Sequence, residues 1–262
     1  MSEKKPQSTK AYHSQTFLNS KDARVLRILS EYLEPQSRFA QHHIEDTIVF
    51  MGSARIIPPA ERNLMRGTDS GESELSSYYE AARELARKLT TWSMALDSGH
   101  KRFVVCTGGG PGIMEAANRG AADAGGVSIG LTISIPIEQF DNLYLTPDLG
   151  VHFHYFFMRK FWFAYLAKAV IVFPGGYGTM DELFEILTLV QTGKMRKPLP
   201  IVLFGTRFWE EVINFDALAR YGTIGAKDVK LMFRTDSVDE AYNWIVAQLV
   251  SAKAVGHPGP TL

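Results

Sequence analysis

The stretch AVIVFPGGYGTMDELFEIL, residues 169–187, changes from a strand pattern to a helix pattern within a few residues. Its first five residues form a short apolar run, which predicts a buried strand over 169–173. The segment Pro-Gly-Gly-Tyr-Gly-Thr follows, with few side chains that could obstruct a ligand, and the pattern beyond it predicts a helix over 179–192. A strand, a glycine turn and a helix in this order are typical of an α/β fold.

Strand and helix patterns alternate on both sides of this stretch. Short apolar runs predict further strands in TIVFMGSAR (47–55), FVVCT (103–107), VSIGLTI (127–133), PLPIVLFG (198–205) and VKLMFR (229–234). Helical spacing predicts helices over 21–34, 73–96, 155–167, 207–222 and 237–251, and another after the glycines that follow residue 107. The alternation predicts a parallel sheet covered by helices on both faces. We expect a single domain over 21–252, a flexible tail over 1–20 and a loose tail over 253–262.

Composition limits the classes of function that the chain can serve. The 262 residues include 28 Lys and Arg and 28 Asp and Glu. The chain therefore lacks the excess of basic residues that is typical of nucleic-acid-binding proteins. The single cysteine, Cys106, fits a reducing compartment, and the polar first ten residues do not resemble a signal peptide. Arg159, Lys160 and Lys168 interrupt the most apolar stretch, 153–173, which argues against a membrane span. We expect a cytoplasmic protein without a nucleic-acid or membrane partner.

Three of the predicted strands end in a turn that contains glycine. These turns hold Gly52, the glycines at 108–110 and those at 175–178. In parallel sheets, ligands bind beyond the carboxyl ends of the strands. If the three strands are neighbours, their turns line one crevice, which is the candidate site.

The turn in the opening stretch is suited to a phosphate. Gly175, Gly176 and Gly178 free the backbone, and Thr179 offers a hydroxyl and a helix N-cap. The N-terminus of the helix adds a partial positive charge. No Lys follows the glycines, so the turn is not the P-loop of nucleoside triphosphate hydrolases.

Glu182 is open to two interpretations. Its carboxylate can act beside a bound phosphate, or it can be the partner of Thr179 in a capping box of the form T-x-x-E. Asp181 and Glu185 are expected to be solvated charges on the same helix.

The second long glycine turn, TGGGPG at 107–112, is equally ambiguous. It can bind an anion at a helix N-terminus, or it can be a tight turn that brings a helix close to the sheet. The turn lacks the third glycine of the G-x-G-x-x-G fingerprint, which argues against a nicotinamide cofactor.

Arg159 and Lys160 stand in the aromatic run FFMRKFWF, residues 156–163. Two cations near the crevice would balance Glu182 and a ligand phosphate, and the alternative is a solvated helix edge. His152 and His154 share one side of a possible strand, but no third ligand at a suitable spacing indicates a metal site. We interpret both histidines as structural, and Cys106 as a core residue.

Taken together, GGGPGIME (108–115), the Arg159–Lys160 pair and PGGYGTMDE (174–182) resemble the LONELY GUY (LOG) family, also described as possible lysine decarboxylases. The likeness extends from about Thr47 to Leu249, and the additional N-terminal helix resembles the longer bacterial branch. The resemblance implies a Rossmann-like, doubly wound parallel sheet, homo-oligomers built on a dimer, and phosphoribohydrolase activity. Such enzymes split a nucleoside 5′-monophosphate into free base and ribose 5-phosphate, without a metal or organic cofactor; AMP and cytokinin nucleotides are typical substrates.

The resemblance also implies roles for individual residues. Arg159 and Glu182 match the catalytic pair of the family. The substrate-binding residues that we predict are Gly52, Ser53, Gly109, Gly110, Met114, Glu138, Lys160, Gly175, Gly176, Tyr177, Gly178 and Thr179. Phe156 and Phe157 stand where the short plant-type proteins have Met-His, which bears on the preferred base.

Two other functions remain open at this stage. Molybdenum-cofactor carrier proteins resemble this fold and its glycine turns, and they bind a phosphate-bearing ligand without cleaving it. Lysine decarboxylation normally uses pyridoxal phosphate on a lysine, and neither glycine turn contains one.

Overall fold

One parallel sheet organises the chain. The computed structural model describes residues 10–58, 75–96, 99–134, 142–252 and 254–256. The strands are β1 (Thr47–Met51), β2 (Val104–Thr107), β3 (Ser128–Ile133), β4 (Gly150–Phe153), β5 (Ala167–Val172), β6 (Ile201–Phe204) and β7 (Met232–Thr235). They form a seven-stranded sheet in the order β4-β3-β2-β1-β5-β6-β7, and every neighbouring pair is parallel.

Helices cover both faces of the sheet, as the sequence predicts. They are α1 (Gln15–Leu18), α2 (Arg24–Gln41), α3 (Ser77–Met94), α4 (Ile113–Asp123), α5 (Phe156–Leu166), α6 (Tyr177–Gln191), α7 (Thr206–Val212), α8 (Phe215–Arg220) and α9 (Val238–Ser251). Short 3-10 helices occupy Ala11–His13, Asp228–Leu231 and Ala254–Gly256. Val49 and Val170 pack under α2, α5 and α6, whereas their neighbours Ile48 and Ile171 pack under α3, α4 and α9. This alternation confirms the doubly wound α/β architecture.

The strand order places a ligand crevice between β1 and β5. From β1 the chain proceeds outward through β2 and β3 to β4, then returns to β5 on the other side of β1. Ligands bind at such a reversal, outside the carboxyl ends of the strands. Because β5, β1 and β2 are neighbours, their three glycine-bearing turns meet at one edge of the sheet, as we expect from the sequence.

Two predicted helices have different bounds. The helix predicted over 21–34 continues to Gln41 and contains Pro35. The single helix predicted over 207–222 is wrong, because α7 ends at Val212 and α8 starts at Phe215. The side chain of Asn214 accepts a hydrogen bond from the Ala217 N–H, and this cap starts a new helix.

Some residues of the two predicted tails contact the rest of the protein. Residues 10–20 include α1, and the Arg27 guanidinium donates hydrogen bonds to the carbonyls of Leu18 and Ser20. Near the other end, Arg102 donates to the carbonyls of Ala254 and Val255. Within the described ranges, the helices are too short or too polar for a membrane span.

Candidate functional site

A cleft of about 1100 Å³ opens beyond the carboxyl ends of β5, β1 and β2. Eleven of the residues that we predict for the site line it, namely Gly52, Ser53, Gly109, Gly110, Met114, Arg159, Gly176, Tyr177, Gly178, Thr179 and Glu182. Gly175 and Lys160 do not line it. Glu138 lies outside the residues that the structure describes.

The N-terminus of α6 forms one wall of this cleft. The helix starts at Tyr177, with Gly176 at the N-cap position and no side chain that caps it. The first N–H groups of a helix have no acceptor within the helix, so those of α6 are available to a ligand. A Cβ atom at Gly176 or Gly178 would meet no other atom within 4 Å, so the backbone here is open to approach.

Thr179 differs from its predicted role. It lies in the first turn of α6 rather than at the N-cap, because the helix starts two residues earlier than the sequence predicts. The capping-box interpretation of Thr179 and Glu182 is therefore wrong. Gly175 makes room for the Thr179 side chain, since a Cβ atom at position 175 would lie 2.2 Å from its Oγ1.

Glu182 instead forms an ion pair with Arg159 across the cleft. The Arg159 Nη1 and Glu182 Oε1 atoms are 3.0 Å apart, and the two side chains are only 11% and 13% exposed. The Arg159 Nε donates to the Leu131 carbonyl at 2.7 Å, and the guanidinium lies 5.0 Å from the centre of the Phe163 ring. The Arg159 guanidinium therefore contacts the Glu182 carboxylate, the Leu131 carbonyl and the Phe163 ring.

Burial controls the protonation of Glu182. It raises the pKa of the Glu182 carboxyl above its ordinary value, although the Arg159 guanidinium acts in the opposite direction. The Arg159 guanidinium therefore offsets only part of the effect of burial. Cys106 is buried beneath the pair, and burial also raises the pKa of its thiol, which agrees with the interpretation as a core residue.

Lys160 points away from the cleft. Its Nζ atom lies 2.6 Å from the Asp181 carboxylate and 2.9 Å from that of Glu185. Burial lowers the pKa of Lys160, but the hydrogen bonds to the two carboxylates outweigh this effect and raise it. Asp181 and Glu185 are 55% and 37% exposed, in line with the solvated charges that we predict, and their ion pairs with Lys160 join α5 to α6.

The glycine turn before α4 is closely packed. A Cβ atom at Gly108 would lie 2.5 Å from Nη2 of Arg159, and one at Gly112 would lie 2.3 Å from the Ser53 carbonyl oxygen. Gly112 also has a positive φ of 71°, and the Ile113 N–H donates to the same Ser53 oxygen at 3.1 Å. The glycines at 108 and 112 thus permit close approach of neighbouring parts of the protein.

The cleft is also lined by residues outside our set of predicted catalytic and substrate-binding residues. These are Ala54, Arg55, Gly108, Pro111, Thr132, Ile133, His152, Phe156 and Met180. Phe156 precedes Arg159 by almost one helical turn, and this spacing was the available signal for it. Thr132 and Ile133 are the last residues of β3. No local sequence pattern shows that they lie near the glycine turns, which are distant in the chain.

His152 was interpreted as a structural residue, yet it lines the cleft. Its ring nitrogens lie 2.9 Å from the Thr132 hydroxyl and 2.7 Å from the Ser134 hydroxyl. His154 contributes a backbone N–H to the carboxylate of Glu31 in α2. Among the residues that the structure describes, no three His, Cys, Asp or Glu side chains are grouped as a metal site.

Comparison with known proteins identifies the family of the chain. The family model described as "Possible lysine decarboxylase" matches residues 114–245, just over half of the chain. The chain belongs to this family, the LOG family. The matched range includes α4 from Met114 onward, β5 and both members of the Arg159–Glu182 pair.

Curated LOG-family relatives are similar over part of their length. The chain is 31% identical over 142 residues to cytokinin riboside 5′-monophosphate phosphoribohydrolase LOG5 of Arabidopsis thaliana, which covers 52% of this chain and 55% of the relative. It is 31% identical over 157 residues to the LOG protein of Oryza sativa subsp. japonica, with 57% and 58% covered. The pyrimidine/purine nucleotide 5′-monophosphate nucleosidase of Escherichia coli K12 is 28% identical over 180 residues, with 63% and 36% covered. The chain thus spans from about a third to somewhat over half of these relatives.

Two solved structures resemble the chain in fold. The structural genomics target TM1055 superposes with a TM-score of 0.50 at 23% identity, covering 77% of this chain and 99% of that chain. A molybdenum cofactor carrier protein of Chlamydomonas reinhardtii reaches a TM-score of 0.49 at 19% identity, covering 79% and 99%. At these identities the likeness concerns the fold and does not discriminate an enzyme from a carrier.

Proposed function

We propose that this LOG-family protein hydrolyses the N-glycosidic bond of a nucleoside 5′-monophosphate. The substrates are AMP or cytokinin-type N6-substituted AMP, and the products are the free base and ribose 5-phosphate. The observation that carries the proposal is the ion pair of Arg159 and Glu182 beside the open N-terminus of α6. The names of the plant and bacterial relatives describe the same class of reaction.

The N-terminus of α6 is suited to the phosphate. Its unpaired N–H groups and partial positive charge attract an anion. Gly176 and Gly178 leave room for the phosphate oxygens to reach the backbone. The buried hydroxyl of Thr179 lines the same part of the cleft. A phosphate held here places the attached ribose near Glu182, which lies within the first two turns of the same helix.

Glu182 then acts on the ribose. As the bond between C1′ and the base breaks, positive charge develops on the sugar ring, and a nearby carboxylate stabilises that charge as it does in glycosidases. Glu182 also orients a water molecule and accepts its proton as the water oxygen attacks C1′. The electron pair of the broken bond moves to the base, which takes up a proton. A carboxyl whose pKa is raised by burial is a better proton acceptor than an exposed one.

Arg159 holds the carboxylate in position. Its contacts to Leu131 and Phe163 fix the guanidinium, so Glu182 is oriented before substrate binds. The mechanism draws on side chains and water, without a metal or organic cofactor. Assembly as a homodimer or a larger homo-oligomer, and a cytoplasmic location, remain predictions from the sequence.

The test is incubation of the purified protein with a panel of nucleoside monophosphates, followed by chromatography of free bases. We expect AMP or an N6-substituted AMP to yield base and ribose 5-phosphate without added metal or pyridoxal phosphate. Tight binding of a monophosphate without cleavage would favour a carrier of phosphate-bearing ligands. Release of carbon dioxide from lysine, together with absorbance in the pyridoxal band, would favour a decarboxylase.

A further inference from the structure

The charges around the cleft do not balance a bound phosphate. A phosphate monoester carries a charge of about −1.5 to −2 at pH 7. Arg159 is paired with Glu182, and Lys160 is paired with Asp181 and Glu185 outside the cleft lining. The α6 N-terminus supplies only about half a positive charge. A further cation at this end of the cleft would offset more of the phosphate charge.

Arg55 lies in the turn that follows β1, and this turn contacts both long glycine turns. The Ser53 N–H donates to the Pro174 carbonyl at 3.0 Å, and the Ser53 carbonyl accepts from Ile113 at 3.1 Å. The Arg55 N–H donates to the Ser53 hydroxyl at 3.1 Å, so the backbone of Arg55 is fixed to this turn. Hydrogen bonds thus join the turn after β1 to the turn before α6 on one side and to the first residue of α4 on the other.

The Arg55 side chain is available to a ligand. It is exposed and lines the cleft, and none of the described residues forms an ion pair or a side-chain hydrogen bond with its guanidinium. Arg159, by contrast, is buried and already makes a hydrogen bond and an ion pair. Of these two cleft arginines, Arg55 is therefore the one whose guanidinium has no ion pair within the described part of the chain.

We propose that Arg55 binds the phosphate group of the substrate. In this role Arg55 replaces Lys160, which we predict from the sequence as the second cation of the site. The inference rests on the proposed function for the identity of the substrate. A guanidinium presents paired N–H donors that match two phosphate oxygens, and such charge-assisted hydrogen bonds are stronger than neutral ones. Arg55 is a binding residue in this role, and the bond-breaking step remains with Glu182.

The experiment compares Arg55→Gln and Arg55→Lys with wild type. Arg196→Gln is the matched control, because Arg196 is exposed, does not line the cleft and carries the same charge. Calorimetry measures the affinity for ribose 5-phosphate, and kinetics measure kcat/KM for AMP and for adenosine. Thermal melts verify that each variant is folded. Lys160→Met is measured in the same series to compare the two candidate cations.

We expect Arg55→Gln to weaken ribose 5-phosphate binding by about ten- to a hundredfold, because the amide lacks the charge and retains only one of the paired donor groups. Its kcat/KM for AMP falls by a similar factor, while its kcat/KM for adenosine is unchanged. The affinity and the kcat/KM of Arg55→Lys lie between those of Arg55→Gln and wild type. Arg196→Gln behaves as wild type. Unchanged binding in folded Arg55→Gln, equal losses for AMP and adenosine, or no measurable binding by wild type would each overturn the inference. If wild type cleaves no monophosphate but its binding depends on Arg55, the proposed reaction fails and the phosphate role of Arg55 stands.

Discussion

The two long glycine turns follow the same sequence pattern but differ in what surrounds them. In the turn before α4, the spaces beside Gly108, Gly110 and Gly112 are filled by Arg159, by Met114 and by the backbone at Ser53 and Ala54. In the turn before α6, the spaces beside Gly176 and Gly178 are empty of protein atoms within 4 Å. Glycine thus permits packing in the first turn and leaves room for a ligand in the second.

The acidic residues that follow the two turns differ in the same way. Glu115, in the first turn of α4, accepts a hydrogen bond from the Tyr79 hydroxyl at 2.7 Å and does not line the cleft. Glu182, on α6, lines the cleft and pairs with Arg159. A carboxylate after a glycine turn therefore has no fixed role, and its partners determine what it can do.

The largest expected effect separates these two carboxylates. Glu182→Gln should lower kcat for AMP by about a hundredfold to ten-thousandfold, the range for loss of a catalytic base. Glu115→Gln keeps an oxygen for the Tyr79 hydroxyl and should retain kcat close to wild type. Steady-state kinetics on the two folded variants test the contrast. Equal activities of the two variants would remove Glu182 from the mechanism.

The phosphate itself tests the open turn. Adenosine should have a kcat/KM at least about a hundredfold below that of AMP, since several charge-assisted hydrogen bonds at α6 are lost together. Part of the loss should be in kcat, because the phosphate positions the ribose against Glu182. Thr179→Ala should narrow the difference between the two substrates. A wild-type enzyme that treats adenosine and AMP alike would mean that the turn before α6 does not bind the phosphate.

Alanine at one glycine of each turn should produce opposite results. Gly112→Ala forces an alanine into a positive φ and against the Ser53 carbonyl, and should destabilise the fold by about 2 kcal/mol or more. Gly178→Ala meets no protein atom, so stability should be retained while the KM for AMP rises. Thermal melts and kinetics give the two readouts. A stable Gly112→Ala, or a Gly178→Ala variant with unchanged KM, would contradict the distinction between the turns.

The smallest expected effect concerns pH. Activity needs ionised Glu182, whose pKa is raised by burial, so the acid limb of the kcat profile should lie above pH 4.5, the ordinary value. For the residual activity of Arg159→Met, the acid limb should lie at still higher pH. This variant lacks the cation that opposes the rise in the pKa of Glu182. An acid limb at or below the ordinary value would contradict a buried catalytic carboxylate.

The same shift should be visible in stability. Between the ordinary pKa and the raised one, the folded chain keeps a proton on Glu182 that the unfolded chain has lost. The contribution of Glu182 to the free energy of unfolding therefore falls as pH rises through this window. Glu182→Gln lacks this decline, and chemical denaturation at several pH values compares the two proteins.

Local sequence patterns were sufficient for most elements of the fold. The strand and helix on either side of residues 173–176 lie close to their predicted positions, because a short apolar run and a glycine turn act over a few residues. The break between α7 and α8 was missed because apolar residues continue through it. There, the cap made by the Asn214 side chain competes with helix continuation, and helical spacing does not report such local competition.

The sequence by itself determined the parallel α/β architecture, the glycine turns and the residue types that a phosphate and a glycosidic bond require. Only the tertiary structure decided which groups meet. Arg159 and Lys160 are adjacent in the chain but point to different carboxylates, since successive residues on a helix lie about 100° apart. Arg55 reaches the cleft only because β1 lies between β2 and β5. Strand order arises from long-range packing, which no local pattern of residues encodes.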